Sequence, residues 1–336
     1  MRPKTRECHR FLVAAAMRNE GPFIVEWICW YRMLGFDHIL VATNDCTDQS
    51  PALLNALHDA GWLTHITHAP APGTAPKKSA HRAIRRHPLV AATEWLMICD
   101  VDEFLVLHDG DGTIGGYLGT DTPKVLGVAF HWKCFGTGGE TAWRDGLVHR
   151  MFTRAAPEHH PVNTSFKSIF RKPQSFAKFG AHGPTGFEER WNVDGHVWVD
   201  AVGRRIGGYD ATRGLKRATA PKRVTHEAAQ MNHYVVRSSE SFGLKRGTKS
   251  PAALIDRYTD AYFDAHDRNE VEDVAALSYA DRFDAVHAQA MALPGVAQLH
   301  HLCCADYVRR LAAKAGRVAE DDLRYRHHLD RAAALA

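Results

Sequence analysis

The first hundred residues alternate between short apolar runs and longer mixed segments. Phe11–Ala16 is an apolar run that reads as a buried strand. The turn Met17-Arg18-Asn19-Glu20-Gly21-Pro22 follows, with Pro22 opening a helix over roughly Phe23–Leu34. Phe23, Trp27, Trp30, Tyr31 and Leu34 share one face of that helix, and Gly35 is its C-terminal stop. His38–Thr43 is a second strand. Ser50 and Pro51 open a second helix that Gly61 closes, and Leu63–Thr67 is a third strand. A Pro-rich loop at 70–76 leads to a basic helix over 77–87, and Trp95–Cys99 is a fourth strand.

This alternation predicts an α/β fold with a mostly parallel, Rossmann-like sheet, helices on both faces and right-handed crossovers. After residue 120 the pattern loosens. Lys124–Trp132 reads as another strand, followed by the glycine-rich loop Phe135–Glu140. The stretch 160–235 mixes Gly, His, aromatics and short β-like runs, and has room for an inserted hairpin. Helical periodicity returns at 251–266, 279–291 and 296–315, and the charged, Ala-rich last twenty residues read as a surface helix. The organisation expected is 8–120 for a first α/β half, 121–250 for a second half of the same domain, and 251–336 for a helical C-terminal region.

Composition narrows the class. A 45% hydrophobic content over 336 residues supports a sizeable core. A net charge of +4 argues against a nucleic-acid partner. Basic residues crowd 204–223 (Arg204, Arg205, Arg213, Lys216, Arg217, Lys222, Arg223), and Arg237, Lys245, Arg246 and Lys249 follow soon after, as a solvated loop or as contacts to an anionic ligand such as a diphosphate. The seven cysteines show no C-x-x-C pair and no zinc spacing, which fits reduced thiols and a cytoplasmic location, at the inner face of a membrane if a peripheral contact exists. The basic N-terminus before Phe11–Met17 has signal-peptide features, but the run is short and reads better as the first strand.

Ligands of open parallel sheets bind beyond the carboxyl ends of the strands. Three polar clusters follow strand ends here: Arg18-Asn19-Glu20, Asn44-Asp45 with Thr47-Asp48, and Asp100-Val101-Asp102. Parallel strands place all three on one rim. Asp100 and Asp102 leave an extended chain on the same side. Two such carboxylates repel unless a cation lies between them, and hard oxygen ligands suit Mg2+ or Mn2+.

The stretches "FLVAAAMRNEGPFIVEWICWYRMLGFDHILVATNDCTDQSPALL" and "WLMICDVDEFLVL" resemble the opening and the metal-site strand of family 2-type glycosyltransferases of the GT-A fold, closest to the bacterial Glyco_tranf_2_4-like subgroup. Later segments, among them "MNHYVVRSSESFGLKRGTK", extend the resemblance over roughly 8–250. It implies metal-dependent transfer of a sugar from a nucleotide-diphosphate donor, commonly a UDP-sugar, to a glycan or other hydroxyl acceptor, with inversion. On that pattern Asn19 and Glu20 lie near the nucleotide and Asp45 bonds the base. Asp100 faces ribose and metal, Asp102 binds the metal, and His233 is a late metal or diphosphate ligand. Lys245, Arg246 and Lys249 belong to a loop closing over the diphosphate. The absence of Q-x-x-R-W argues against processive synthesis.

An inverting reaction needs a carboxylate base. Glu140 on the glycine-rich loop is the first candidate, with Glu188 and Glu189 behind it. Lys167, His182, Trp132 and Phe135 are candidates for the acceptor pocket. A sugar nucleotidyltransferase would want a glycine-rich phosphate loop after the first strand, where "AMRNEGP" stands instead. A non-catalytic glycan-binding protein of the same fold should have lost a metal carboxylate, and both are present.

Overall fold

In the computed structural model, residues 9–119, 124–187, 196–207 and 217–336 are described. Glu188, Glu189, Arg213 and Lys216 lie outside them. The first half follows the expected alternation: β1 (His9–Met17), α1 (Gly21–Met33), β2 (His38–Thr43), α2 (Ser50–Asp59), β3 (Thr64–Thr67), α3 (Pro76–Arg86), α4 (Pro88–Ala91), β4 (Thr93–Ile98) and β5 (Glu103–Leu107). Then come α5 (Ile114–Leu118), β6 (Val125–Cys134), α6 (Val148–Met151), β7 (Arg154–Ala155), β8 (Phe166–Arg171), β9 (Phe176–Phe179), β10 (Pro184–Phe187), β11 (Val197–Asp200) and β12 (Ala229–His233). The C-terminal part holds α7 (Ser239–Gly243), α8 (Asp260–His266), β13 (Val271–Glu272), α9 (Ala280–Met291), α10 (Val296–Lys314) and α11 (Leu323–Ala333).

The central sheet runs β3-β2-β1-β4-β8-β6-β12-β5, with β11 beside β6. Strands β3, β2, β1 and β4 are mutually parallel. Strand β8 runs antiparallel between β4 and β6, and β5 pairs antiparallel with β12. β9 and β10 form the inserted hairpin.

Side chains alternate across β1 as an interior strand requires. Phe11, Val13, Ala15 and Met17 join α1 in one core, while Leu12 and Ala14 join Ala80 and Ile84 of α3 in the other. Helices therefore cover both faces. Helix α1 is buried almost all round rather than along one stripe, Trp27 and Trp30 included. Its outer side is covered by α9 and α10, whose Phe283, Val296, Cys303 and Val308 belong to the same core. A Cβ on Gly21 would collide with Cys303 of α10, so glycine lets these helices close together.

One expectation for the C-terminal part changes. The helix expected over 251–266 begins only at Asp260, capped by Thr259, because Lys249 and Asp256 bridge across an intervening turn. The last helix, α11, docks on the rest through Arg324 and His328. Among the described residues no helix is long and apolar enough to cross a membrane.

Candidate active site

The parallel run puts the ends of β1, β2 and β4 on one edge. Asn19 and Asp45, just beyond β1 and β2, both adopt left-handed backbone (φ 57° and 46°), which Asn and Asp tolerate better than most residues. Asn19 Oδ1 accepts the Thr47 amide at 2.7 Å, tying the two strand ends together. Asp45 is exposed, its Oδ2 accepting from Asn44 Nδ2 at 2.8 Å. Glu20 is reached by Arg237 Nη1 at 3.7 Å, and the Arg237 guanidinium lies 3.5 Å from the centre of the Phe23 ring. Burial pushes the Glu20 carboxyl up, against the pull of Arg237.

Asp100 and Asp102 occupy the crossing from β4 to β5. The Trp27 indole donates to the Asp100 carbonyl at 3.0 Å, and the Tyr234 amide to that of Asp102 at 2.8 Å. Asp100 is clamped by two lysines: Lys77 of α3 on Oδ1, and Lys167 of β8 on Oδ2 at 2.9 Å. Burial would raise its pKa, but Lys167 and Lys77 outweigh it and hold the carboxyl well below the usual range. Lys167 also lies 3.0 Å from Glu103 Oε2, and the Trp132 indole donates to Glu103 Oε1 at 3.0 Å. Burial lifts Glu103 to about 7 despite the lysine.

Asp102 has different company. Lys245 Nζ lies 3.3 Å from its Oδ2, and His233 Nε2 lies 4.0 Å from its Oδ1. Register delivers the histidine, since β12 pairs His233 with Glu103 on one side and Cys134 on the other. Trp132 stacks on the His233 ring at 4.1 Å. Burial lowers His233 to about 3, so the ring is neutral near pH 7. Burial raises Asp102, but Lys245, His233 and Arg237 together pull it below the usual carboxylate range.

The other expected residues divide. Lys245 reaches Asp102, whereas Arg246 turns away to Asp260 at 2.8 Å. Glu140 pairs with Arg144 at 3.1 Å, and no hydrogen bond or ion pair joins it to Asp100 or Asp102. His182 packs against Trp132 at 5.7 Å, and Phe135 is core, packed on Tyr234 at 4.7 Å. Lys77 and Glu103 went unrecognised as site residues, and Arg237 was noticed only within a group of basic residues suited to an anionic ligand. The basic run opening α3 was the only sequence signal for Lys77, and the acidic run D-V-D-E the only one for Glu103.

Parallel strands ending in a two-carboxylate corner, flanked by an antiparallel strand, make this a GT-A-like α/β architecture. Within that class the chain belongs to glycosyltransferase family 92, whose model matches residues 14–235. This corrects the family 2-type resemblance: the glycosyltransferase class was recognised, but the family was not. A family 92 protein of Ricinus communis is 28% identical over 104 residues, 30% of this chain and 18% of that protein. One of Oryza sativa subsp. japonica is 27% identical over 172 residues, 49% of this chain and 27% of that protein. The chain thus matches about a quarter or less of the length of these relatives.

Solved structures with weak likeness include a mannosyltransferase from Pyrobaculum calidifontis in complex with GDP-Man and Mn2+. It has 15% identity and a TM-score of 0.35, over 98% of this chain and 80% of that one. Glucosyl-3-phosphoglycerate synthase from Mycobacterium tuberculosis, in complex with Mn2+, UDP and glucosyl-3-phosphoglycerate, has 17% identity and a TM-score of 0.30, over 60% and 73%.

Proposed function

We propose that the chain is a metal-dependent glycosyltransferase moving a sugar from a nucleotide-diphosphate donor, a UDP-sugar first among them, to a glycan hydroxyl, with inversion and without processivity. The observation that carries this reading is the meeting of Asp100 and Asp102 with Lys77, Lys167 and Lys245 at the carboxyl edge of parallel strands. Carboxylates and cations alternating in one polar corner suit a diphosphate and its counter-ion.

Asp102 and His233 fit a divalent ion. Their facing atoms stand 4.0 Å apart, somewhat wider than neighbouring ligands bonded at roughly 2.0–2.2 Å to one cation, so a small side-chain rotation would bring both onto the ion. The neutral imidazole has a lone pair to offer. Mn2+ or Mg2+ held there would neutralise charge on the departing diphosphate.

The chain's own groups do the rest. Lys245 is only partly buried and already at Asp102, so it can turn its ammonium to the diphosphate. Lys77 and Lys167 hold Asp100 ionised, and as a carboxylate it would serve the ribose and the ion. Asn19, Glu20 and the exposed Asp45 border the nucleotide, with Asp45 accepting from the base. In transfer the acceptor oxygen bonds to the anomeric carbon. The bond from that carbon to the diphosphate oxygen breaks, the leaving group keeping the electron pair, and the acceptor proton passes to a carboxylate. Glu140 is assigned as that base, because its loop accepts the Ser239 amide at 3.2 Å and so adjoins the helix leading to Lys245. Arg246 is placed at the outer edge of the same closing loop.

Donor hydrolysis by the purified chain, screened over nucleotide sugars with Mn2+, tests the reading, together with the Tm shift from Mn2+ plus UDP. Binding to the folded state alone must raise Tm. Asp102→Ala is expected to abolish both signals. Near-normal turnover in both Asp100→Ala and Asp102→Ala would end the proposal.

A further inference from the structure

A second cluster of metal-ligating side chains lies outside the carboxylate corner. Helix α10 presents His300 and Cys304 four residues apart, hence on one face. Against them stands Asp145, from the loop between β6 and α6. Three distances define the group: His300 Nε2 to Asp145 Oδ1 3.6 Å, Cys304 Sγ to His300 Nε2 3.6 Å, and Cys304 Sγ to Asp145 Oδ1 3.9 Å. Donors sharing one tetrahedral zinc, at bond lengths of about 2.0–2.3 Å, stand roughly 3.3–3.8 Å apart. The triangle already has nearly those dimensions.

On its other side Asp145 meets His301 of α10 and His328 of α11, with the ligand atoms of that trio within 4.8 Å of one another. The two imidazole Nδ1 atoms are 3.1 Å apart, so one ring donates to the other.

We propose that Asp145, His300 and Cys304 bind one zinc ion, with the fourth position open to water, and that His301 and His328 brace the Asp145 carboxylate from behind. Nitrogen, sulfur and carboxylate donors together favour zinc over the hard cations suited to the Asp102 corner. Asp145 is about one-third exposed and the His300 side chain is 12% exposed, so the ion has a way in, whereas Cys304 is fully buried. Linear spacing could not show this site, because its ligands come from one helix and a loop some 155 positions earlier in the chain. The ion would pin α10 to the loop carrying Trp143 and Glu140. It does not depend on the glycosyltransferase reading.

The test uses the full chain, stripped with chelator and titrated with Zn2+ and, separately, Co2+. About one zinc per chain and a rise in Tm are expected. Cobalt should give thiolate-to-metal charge-transfer absorption and the intense visible bands of a tetrahedral site. Cys304→Ala should lose the charge-transfer band and Asp145→Asn should weaken zinc binding at least tenfold, while His328→Asn keeps the band and Asp102→Ala keeps the zinc. The wild-type cobalt spectrum needs no variant to fold. Absence of thiolate charge transfer in it, or zinc affinity unchanged in Cys304→Ala, overturns the proposal.

Discussion

Lys167 Nζ stands 2.9 Å from Asp100 Oδ2 with only 1% of the lysine side chain exposed. The lysine comes from β8, the strand that enters the parallel run in reverse and lies directly beside β4. The reversed strand thus brings a buried cation to the end of a strand that terminates in carboxylates. Burial alone would lower the lysine's pKa, but Asp100 and Glu103 outweigh it and raise it, so the ammonium persists.

Removing that cation leaves buried charge unpaired. Lys167→Met is expected to cost on the order of 3 kcal/mol of unfolding free energy, since breaking a buried pair from one side is costly. Urea denaturation measures it. A loss below about 1 kcal/mol would show that the Asp100 and Glu103 pair is neutralised by other groups.

Lys245→Met should behave differently. Its side chain is 27% exposed and touches one carboxylate, so folding should change by less than about 1 kcal/mol. Turnover should drop roughly a hundredfold, the usual effect of deleting one group that stabilises transition-state charge. Steady-state kinetics with an identified donor separates kcat from KM. A change in KM alone would place Lys245 in ground-state binding.

Acid should destabilise the fold through its buried histidines, above the range where ordinary carboxylates titrate. Burial holds His131 and His226 down at about 4, against an ordinary value of 6.5. A depressed histidine contributes stability that is fully present above pH 6.5 and is lost as pH falls toward 4. Each contributes on the order of 2 kcal/mol. Glu103, raised to about 7 by burial, acts oppositely between 4.5 and 7, and the several buried histidines should outweigh it. Unfolding free energy measured from pH 7.5 to 4.5 should fall, with a shallower slope in His131→Asn. A stability that rises on acidification would contradict this assignment.

Arg324 anchors the C-terminal helix. Its guanidinium holds both Glu240 oxygens at 2.7 and 3.0 Å and donates to the Trp143 carbonyl at 2.6 Å. Arg324→Ala is expected to cost about 1–3 kcal/mol, the range for charge-assisted bonds left partly unmade. Glu240→Gln should recover part of the wild-type value, because one carbonyl oxygen still accepts. Protease cleavage within 323–333 should accelerate in the alanine variant.

Strand and helix positions in the first hundred residues were legible, because parallel strands and their helices bury continuous apolar runs bounded by Gly, Pro and polar turns. The carboxyl-edge clusters were legible for the same reason, since a parallel strand fixes which end its loop occupies. Lys167 was singled out as a candidate for the acceptor pocket, yet its partner was invisible: β8 pairs with β4 and β6 across long separations. The helix expected over 251–266 failed for a local reason. Leu254, Tyr258 and Tyr262 have helical spacing, but the Lys249–Asp256 bridge holds the chain in a turn.

Local pattern alone determined that this chain makes an α/β sheet with an acidic corner at Asp100 and Asp102, because alternation and turn chemistry act between near neighbours. Tertiary structure decided which cations meet that corner, how α10 covers α1, and that Asp145 faces His300 and Cys304. These are contacts between residues tens to hundreds of positions apart, brought together by chain topology and core packing.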